Sequence, residues 1–319
     1  MLKEKCAIIG FGQWGKKIVQ NIKLSSLFEI EFIIDPLYED KSYYGVRKCN
    51  DINHILLDND IGTVFILTSN DLHFYYGGLF AKAGKNIFIE KPLCNTSKEA
   101  KELLNICKKN NVKLMVGHNV IYYSIFKKVK KILMENKVGR IYHIEANRSR
   151  PIWKTIDKKS WRYRKKTCNG GPLIQMALHL IDTLQYYCDL HIKDLKVIGT
   201  NNYLKSENCE EYSIIGKIGD NITLYMHTSY LPAETFYINI YGEYGTIKAD
   251  AFNGLYFQKI NEFENKKINF EINNPELDEI IDFYNFIKKE KNSYSKIEQA
   301  INDIEIVEEI LEKNRSNCS

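Results

Sequence analysis

The sequence predicts a doubly wound parallel α/β domain over residues 1–118 and a mostly antiparallel α+β domain over residues 119–319. Apolar strand-like runs alternate with helical patterns through the first 118 residues, as in parallel sheets with crossover helices. From Leu195 to about Phe270 short strands separated by turn signals replace this pattern, as in successive hairpins. The chain of 319 residues is long enough for two domains of ordinary size.

The first 35 residues have the order strand, glycine turn, helix and strand. Gly10, Gly12 and Gly15 follow an apolar run with the spacing G-x-G-x-x-G, and a second apolar run ends in Asp35. Gly10 permits a tight turn, Gly12 lets the backbone approach a pyrophosphate, and Gly15 lets the helix pack closely on the strand. An ordinary strand–turn–helix connection is the alternative. The acid after the second strand, which would accept both ribose hydroxyls, favours a Rossmann dinucleotide site.

Polar segments follow the other predicted strands of this domain, at residues 63–67, 86–89 and 113–116. Ligands of open α/β sheets bind beyond the carboxyl ends of the strands. His73 and Asn119, like His118, equally suit a helix cap or a loop contact. The predicted dinucleotide contacts are Gly10, Phe11, Gly12, Gln13, Trp14, Gly15, Asp35, Thr68, Asn70, His73, Glu90, Lys91, Pro92 and Asn119.

Helical patterns separate these strands. The sequence predicts helices over 52–57 and 71–83, with Gly84 ending the second. A third helix runs to Lys109, and Thr96 and Glu99 have the spacing of a capping box at its start.

The second domain begins with a linking helix that carries Val129, Ile132 and Leu133 on one face. An alternating strand over 141–148 follows, and Gly170-Gly171-Pro172 precedes a long apolar helix over 173–187. The remaining strands are predicted at 195–198, 212–218, 222–229, 236–241, 246–250 and 255–260, and closing helices at 275–289 and 296–311.

Composition excludes several classes of protein. The chain is 44% hydrophobic and 27% charged, and no apolar run approaches the roughly 20 residues of a membrane span. Its eight cysteines form no C-x-x-C pair, so neither a metal site nor a redox motif is predicted. The start leads directly into the first strand, which leaves no room for a signal peptide. The cysteine usage fits a reducing cytoplasm best.

Basic residues concentrate between Arg148 and Lys166, where nine basic side chains and one acid give a net charge of +8. A solvated loop is one interpretation. A surface that binds an anionic substrate is the other. Nucleic acid is not a predicted partner, because no recognition helix or RNA-binding motif accompanies this short segment.

Four motifs together resemble the glucose–fructose oxidoreductase / inositol dehydrogenase (Gfo/Idh/MocA) family of NAD(P)-dependent oxidoreductases, over nearly the whole chain. The motifs cover residues 10–15, 83–92, 116–119 and 170–182. The resemblance implies that Lys91 of Glu-Lys-Pro lies beside the nicotinamide and the reacting hydroxyl, and that His179 is the catalytic histidine of the second domain. Two positions depart from the family pattern: Gln175 replaces an aspartate, and Ala177 replaces a glycine.

The chemistry of these residues suits hydride transfer from an alcohol carbon. Histidine titrates near neutral pH and can accept the hydroxyl proton, while an ammonium can polarise the oxygen. From the residues alone, without the resemblance, a structural role for His179 is favoured over a catalytic one. Asp182, three residues on, would either orient the His179 ring or be an exposed acid.

Candidate substrate contacts extend beyond Lys91 and His179. Gln175 shares a helix face with His179 at a spacing of four residues. Trp161 offers a stacking face for a sugar or base, and Arg162 a fork for phosphate. A packed loop is the alternative for these two residues.

The predicted function is hydride transfer between nicotinamide and a hydroxyl or keto carbon of a sugar, nucleotide sugar or cyclitol. A dinucleotide-binding sensor or partner subunit without turnover is one alternative, and a keto-sugar reductase in which His179 is not catalytic is another. NAD is predicted rather than NADP, because Asp35 would repel a 2′-phosphate. Arg47 or Lys41, folded back to this position, would reverse that preference. A homodimer or homotetramer formed through the C-terminal sheet is also predicted.

Overall fold

The computed structural model describes residues 3–36, 46–154, 161–289 and 293–317. Lys41 and residues 155–160 of the basic segment lie outside this range. Two compact units are present, one from residues 1–119 with 274–302 and one from residues 120–273 with 303–319. Within the described residues, no helix combines the length and apolar composition that a membrane span requires.

The first unit contains the predicted parallel sheet. All five strand pairings are parallel, and the strand order is β3-β2-β1-β4-β5-β6. The order reverses between β1 and β4, which is the position where ligands of such sheets bind. The strands are β1 (Glu4–Ile9), β2 (Phe28–Ile34), β3 (Arg47–Lys48), β4 (Thr63–Ile66), β5 (Asn86–Glu90) and β6 (Leu114–Gly117).

Four crossover helices of this unit are α1 (Gln13–Ser25), α2 (Asn53–Leu57), α3 (His73–Lys82) and α4 (Ser97–Lys109). The capping box of α4 is confirmed, because Thr96 accepts a hydrogen bond from the Glu99 backbone and the Glu99 side chain accepts one from the Thr96 backbone. A 3₁₀ turn over Asn70–Leu72 precedes α3, so the α-helix begins two residues later than predicted.

Helix α7 (Pro275–Lys289) packs in the first unit, although the sequence analysis placed it in the second domain. Phe283 of α7 is fully buried, and its ring centroid lies 6.1 Å from that of Phe28 and 5.5 Å from those of Phe65 and Phe88. The correction has a physical reason, since this aromatic cluster buries the apolar face of α7 beside the parallel sheet.

The second unit is built on an eight-stranded sheet with the order β14-β13-β12-β11-β7-β10-β9-β8. Only the β7–β10 pair is parallel among its described strands. The strands are β7 (Ile141–Ser149), β8 (Ile192–Thr200), β9 (Glu211–Ile218), β10 (Ile222–Ser229), β11 (Thr235–Gly242), β12 (Gly245–Asp250), β13 (Gly254–Lys259) and β14 (Lys266–Ile268).

Helices α5 (Ser124–Met134), α6 (Leu178–Cys188) and the part of α8 (Ile297–Asn317) from residue 303 on share the core of this unit with one face of the sheet. Ile238 and Ile240 of β11 point into that core, while the alternate residues Tyr237, Asn239 and Tyr241 lie half-buried on the opposite face. The predicted alternation of inward and outward residues is therefore present.

Strand β8 is longer than predicted, because its register shifts between Lys193 and Lys196. Asp194 in this interval has a positive φ of 56°, so the alternation by which a strand is recognised is interrupted there. The sequence signal therefore began only at Leu195, after the irregularity.

A buried acid pair lies in the second unit. Asp303 is 0% exposed and Asp182 is 2% exposed, and Gln185 donates to Asp303 Oδ1 over 2.5 Å. The interpretation of Asp182 as an exposed acid is therefore wrong. Burial, and next the charge of Asp182, raise the pKa of Asp303 well above its ordinary value.

This raised pKa predicts how stability depends on pH. Above about pH 4 the unfolded Asp303 ionises freely while the folded one resists, so its contribution to the free energy of unfolding falls as pH rises. Asp303→Asn should therefore unfold at a higher urea concentration than the wild type at pH 8, and this gain should shrink toward pH 4. Exposed Asp71→Asn is the control, and a gain that is independent of pH would contradict the prediction.

Candidate functional site

The glycine loop between β1 and α1 is closely packed at two glycines and open at the third. Gly10 has a φ of +97°, and a Cβ there would lie 2.6 Å from the Leu67 carbonyl oxygen. A Cβ on Gly15 would lie 2.6 Å from the Gly10 carbonyl oxygen. At Gly12 no heavy atom of the described residues outside its immediate chain neighbours lies within 4 Å of a built Cβ. This opening leaves room for a ligand directly against the backbone.

The acid after β2 turns toward this loop. The Phe11 backbone N–H donates to Asp35 Oδ2 over 2.6 Å, and the Gly10 N–H donates to the Ile34 carbonyl over 2.8 Å. Asp35 is half-buried, so its carboxylate borders the loop without being closed off.

Arg47, one of the two bases considered for a 2′-phosphate, is engaged on β2. Its guanidinium donates to Glu31 Oε2 over 2.8 Å and lies 4.7 Å from the centre of the Phe32 ring. In this arrangement Arg47 pairs with Glu31, and Lys41 lies outside the described residues.

A buried donor near the loop suits a ligand as well. Asn70 follows β4, is 4% exposed, and its Nδ2 has no hydrogen-bond partner among the described residues. An unsatisfied buried amide is costly unless a ligand or water accepts from it. Together with the open side of Gly12 and the position of Asp35, this donor shows that the residues present fit a dinucleotide.

Trp14 and Glu90 join the first turn of α1 to the end of β5. The Trp14 indole N–H donates to Glu90 Oε1, and the Glu90 side chain is buried. Burial raises the pKa of Glu90 to about 7, although the Trp14 hydrogen bond and the Lys91 charge act in the opposite direction. The half-buried Lys91 follows directly.

His73 is fully buried between two loops of the candidate site. Its Nδ1 lies 2.7 Å from the Pro92 carbonyl oxygen, and its Nε2 lies 3.2 Å from the Thr68 carbonyl oxygen. Burial lowers the pKa of His73. The structure therefore gives His73 a supporting position behind Thr68 and Pro92, and its direct contact with a dinucleotide stays a prediction.

The end of β6 brings in a residue that the sequence analysis missed. Asn119 Nδ2 donates to Glu276 Oε1 over 3.0 Å, and Lys17 Nζ lies 2.6 Å from the same oxygen. The neighbouring His118 is 1% exposed, and burial together with the Lys91 charge lowers its pKa to about 3. Glu276, at the start of α7, gave no sequence signal beyond a first-turn acid.

In the second unit, the double glycine and the helix that follows it are buried at every position from 170 to 185 except Gln175 and His179. Gln175 and His179 were predicted to share a helix face, and that face is the one partly exposed side of this stretch. Residues Leu173–Ala177 form a π-helix, with the Leu178 N–H bonded to the Leu173 carbonyl, where an α-helix was predicted. The positive φ of Gly170 and Gly171 sets this entry, and π-helical turns are frequent at functional sites.

Three predicted substrate residues lie together in the second unit. Arg162 Nε donates to Gln175 Oε1 over 3.2 Å, and the Arg162 guanidinium lies 4.5 Å from the centre of the Trp161 ring. Gln175 Nε2 also reaches Cys168 Sγ at 3.6 Å. At the position of the family aspartate, this chain therefore carries a neutral amide that is paired with an arginine.

The basic segment is heterogeneous where it is described. The side chain of Arg148 is 15% exposed, and its guanidinium lies 4.2 Å from the centre of the Phe236 ring. Arg150 pairs with Glu234 over 3.2 Å. Exposed basic residues occur in both halves of the segment, and Arg148 is the one described base that is not exposed; the exposed ones are Arg150, Lys154, Arg162, Arg164, Lys165 and Lys166.

Two family profiles match the chain. Residues 4–118 match the profile described as "Oxidoreductase family, NAD-binding Rossmann fold", and residues 126–248 match the GFO/IDH/MocA C-terminal domain. The protein belongs to the GFO/IDH/MocA family of oxidoreductases.

Named relatives share parts of the chain. A levoglucosan dehydrogenase of Pseudarthrobacter phenanthrenivorans is 33% identical over 142 residues, which are 44% of this chain and 36% of that protein. A scyllo-inositol 2-dehydrogenase (NADP(+)) of Bacillus subtilis is 26% identical over 213 residues, 65% of this chain and 56% of the relative. The chain spans about half the length of the curated relatives that it matches.

The fold agrees with solved structures. A levoglucosan dehydrogenase in complex with NADH and levoglucosan superposes with a TM-score of 0.86 at 18% identity, covering 99% of this chain and 98% of the other. At this identity the likeness shows the fold.

Proposed function

We propose that the protein is an oxidoreductase that acts on a hydroxyl or keto carbon of a sugar, nucleotide sugar or cyclitol. A bound nicotinamide dinucleotide would supply or accept the hydride. The observation that carries the proposal is the glycine loop open at Gly12 with Asp35 beside it, in a chain of an oxidoreductase family.

Lys91 and His179 have separate roles in this proposal. Lys91 would polarise the reacting oxygen with its ammonium, and His179 would hold or release the hydroxyl proton. The resemblance assigns both roles. His179 is one of the two partly exposed residues in the otherwise buried stretch from 170 to 185.

The substrate side suits a polar ring that carries an anionic group. Trp161 offers a stacking face, and Arg162 and the exposed bases of residues 164–166 supply positive charge. A panel of neutral sugars, cyclitols and nucleotide sugars tests this proposal, with reduced nicotinamide followed by absorbance at low and high salt. Equal turnover of neutral and anionic sugars without salt dependence would exclude the anionic preference.

The same panel separates the enzyme from a sensor. The replacement of the family aspartate by Gln175 is the feature that keeps a sensor without turnover as the second candidate. Dinucleotide binding without turnover of any sugar in either direction would favour the sensor. Turnover that survives loss of His179 would favour the keto-sugar reductase.

We expect NADH to bind more tightly than NADPH, because the Asp35 carboxylate repels a 2′-phosphate. Asp35→Asn removes this charge while retaining an acceptor for the Phe11 N–H. The ratio of the Kd for NADPH to the Kd for NADH, measured by fluorescence titration, should fall about tenfold in this variant. Asp51→Asn, an exposed acid after β3, is the control. Tighter binding of NADPH by the wild type would overturn the assignment.

The C-terminal sheet supports the proposed homodimer or homotetramer. The face opposite its core carries half-buried Tyr237 and Tyr241, which donate to Glu145, and exposed Ile215. A sheet face of this composition suits association with a second copy. A monomeric mass from light scattering would contradict it.

A further inference from the structure

Glu276 links segments that are far apart in sequence. It is 157 residues from Asn119 and 259 residues from Lys17, yet its Oε1 accepts from both side chains, at 3.0 and 2.6 Å. The Glu276 side chain is 3% exposed, whereas that of Lys17 is 46% exposed. A buried carboxylate is costly unless it is paired, so these two donors account for its presence inside the unit.

The contacts continue from Lys17 to the end of β5. The Lys17 ammonium lies 4.9 Å from the centre of the Trp14 ring, and the Trp14 indole donates to Glu90. Lys17 and Trp14 belong to the first turns of α1, directly after the glycine loop. A continuous set of contacts therefore joins α7, α1 and the residue before Lys91.

We propose that Glu276 is a positioning residue of the dinucleotide site, which fixes Asn119 and Lys17 and, through Lys17, the Trp14–Glu90 pair. The inference rests on the proposed dinucleotide binding. It makes the segment from residue 274 on, which returns to the first unit, a functional part of that site.

If Glu276 only held α7 in place, any substitution that weakens the attachment of α7 to the first unit should have the same effect on dinucleotide binding. Lys288 also joins α7 to the first unit, because its Nζ lies 2.5 Å from Glu4 Oε2 of β1. Neither Lys288 nor Glu4 has a described contact with Lys17, Trp14, Glu90 or Asn119. Lys288→Ala is therefore a matched control that weakens the attachment of α7 to this unit without disturbing the proposed set of contacts.

Glu90 provides a readout that packing alone would not move. Trp14 donates to it, and Lys91 and Glu276 are the charges that act on it; burial and Glu276 raise its pKa, whereas Trp14 and Lys91 lower it. Glu276→Gln removes one negative charge, so the pKa of Glu90 should fall. The emission of Trp14 should report this titration once Trp153 and Trp161, the other two tryptophans, are replaced by phenylalanine.

The experiment measures the affinity for NADH and the pH midpoint of Trp14 emission in the full chain. Glu276→Ala should weaken NADH binding about tenfold, and Glu276→Gln, which keeps one amide oxygen as an acceptor, should weaken it less. Glu276→Gln should also move the emission midpoint to lower pH. Lys288→Ala should change neither quantity.

An NADH affinity of Glu276→Ala equal to that of the wild type, or an unmoved midpoint in Glu276→Gln, would overturn the inference. If Glu276→Ala fails to fold by circular dichroism, Glu276→Gln decides both points. A wild type that binds neither NADH nor NADPH would instead overturn the proposed function, and the emission midpoint would still test the link between Glu276 and Glu90.

Discussion

Lys91→Ala should lower kcat by about 10²- to 10³-fold while changing the Kd for NADH much less. The reason is that an ammonium beside the reacting oxygen interacts most strongly when charge develops there in the transition state. Lys91 follows β5 directly, at the strand end where ligands of such sheets bind, and it is half-buried beside the buried Glu90.

Stopped-flow turnover and NADH titration on the same preparations would separate the two effects. Lys98→Ala, an exposed lysine on α4, is the control for general loss of positive charge. Lys91→Arg keeps the charge but places it on a larger planar group, and should recover only part of the rate. A Lys91→Ala variant that loses NADH affinity and kcat by the same factor would make Lys91 a binding residue.

His179→Ala should cost about 10²- to 10⁴-fold in rate if the ring exchanges the hydroxyl proton. The affinity for NADH should change little, because no dinucleotide contact is assigned to this residue. Exposed His191 supplies the control substitution. Full activity in His179→Ala would make His179 structural, and the proton would then pass through Lys91, a tyrosine or water.

Gln175→Asp tests the same role through pH. A carboxylate at this position would favour the imidazolium and raise the pKa of His179. The acid limb of an oxidation profile, or the basic limb of a reduction profile, should therefore move to higher pH. Gln175→Asn shortens the side chain without adding charge and should leave both limbs in place.

Arg162 allows a second test of the same role, because its Nε donates to the Gln175 oxygen over 3.2 Å. An aspartate that pairs with Arg162 would give up part of its effect on His179. Combining Gln175→Asp with Arg162→Gln should therefore move the limb further than Gln175→Asp alone. A profile that both variants leave unchanged would remove His179 as the titrating group.

The parallel sheet and the ends of its strands could be predicted from sequence because their signals are local. Gly10, Gly15 and Asp35 stand within one strand–helix–strand unit, and the contacts of Gly15 with Gly10 and of Asp35 with Phe11 lie within it. The face shared by Gln175 and His179 was predictable for the same reason, since both belong to one helix.

Contacts between distant segments could not be predicted. Glu276 reads as an ordinary acid in the first turn of a closing amphipathic helix, and its partners lie 157 and 259 residues away. The assignment of α7 to the first unit depends on Phe283 meeting rings from three strands, which periodicity alone does not reveal. Arg148 was counted with a basic loop because its packing on Phe236 of a neighbouring strand is likewise nonlocal.

Transfer of deuterium tests the proposed reaction most directly. The protein would be incubated with NADH deuterated at the transferring position of nicotinamide C4 and a keto-sugar identified from the panel, and the product analysed by mass spectrometry. The proposal predicts one carbon-bound deuterium for each turnover, with the rate of incorporation reduced in Lys91→Ala and His179→Ala. A reduced sugar without deuterium, from cofactor deuterated on either face, would contradict hydride transfer by this protein.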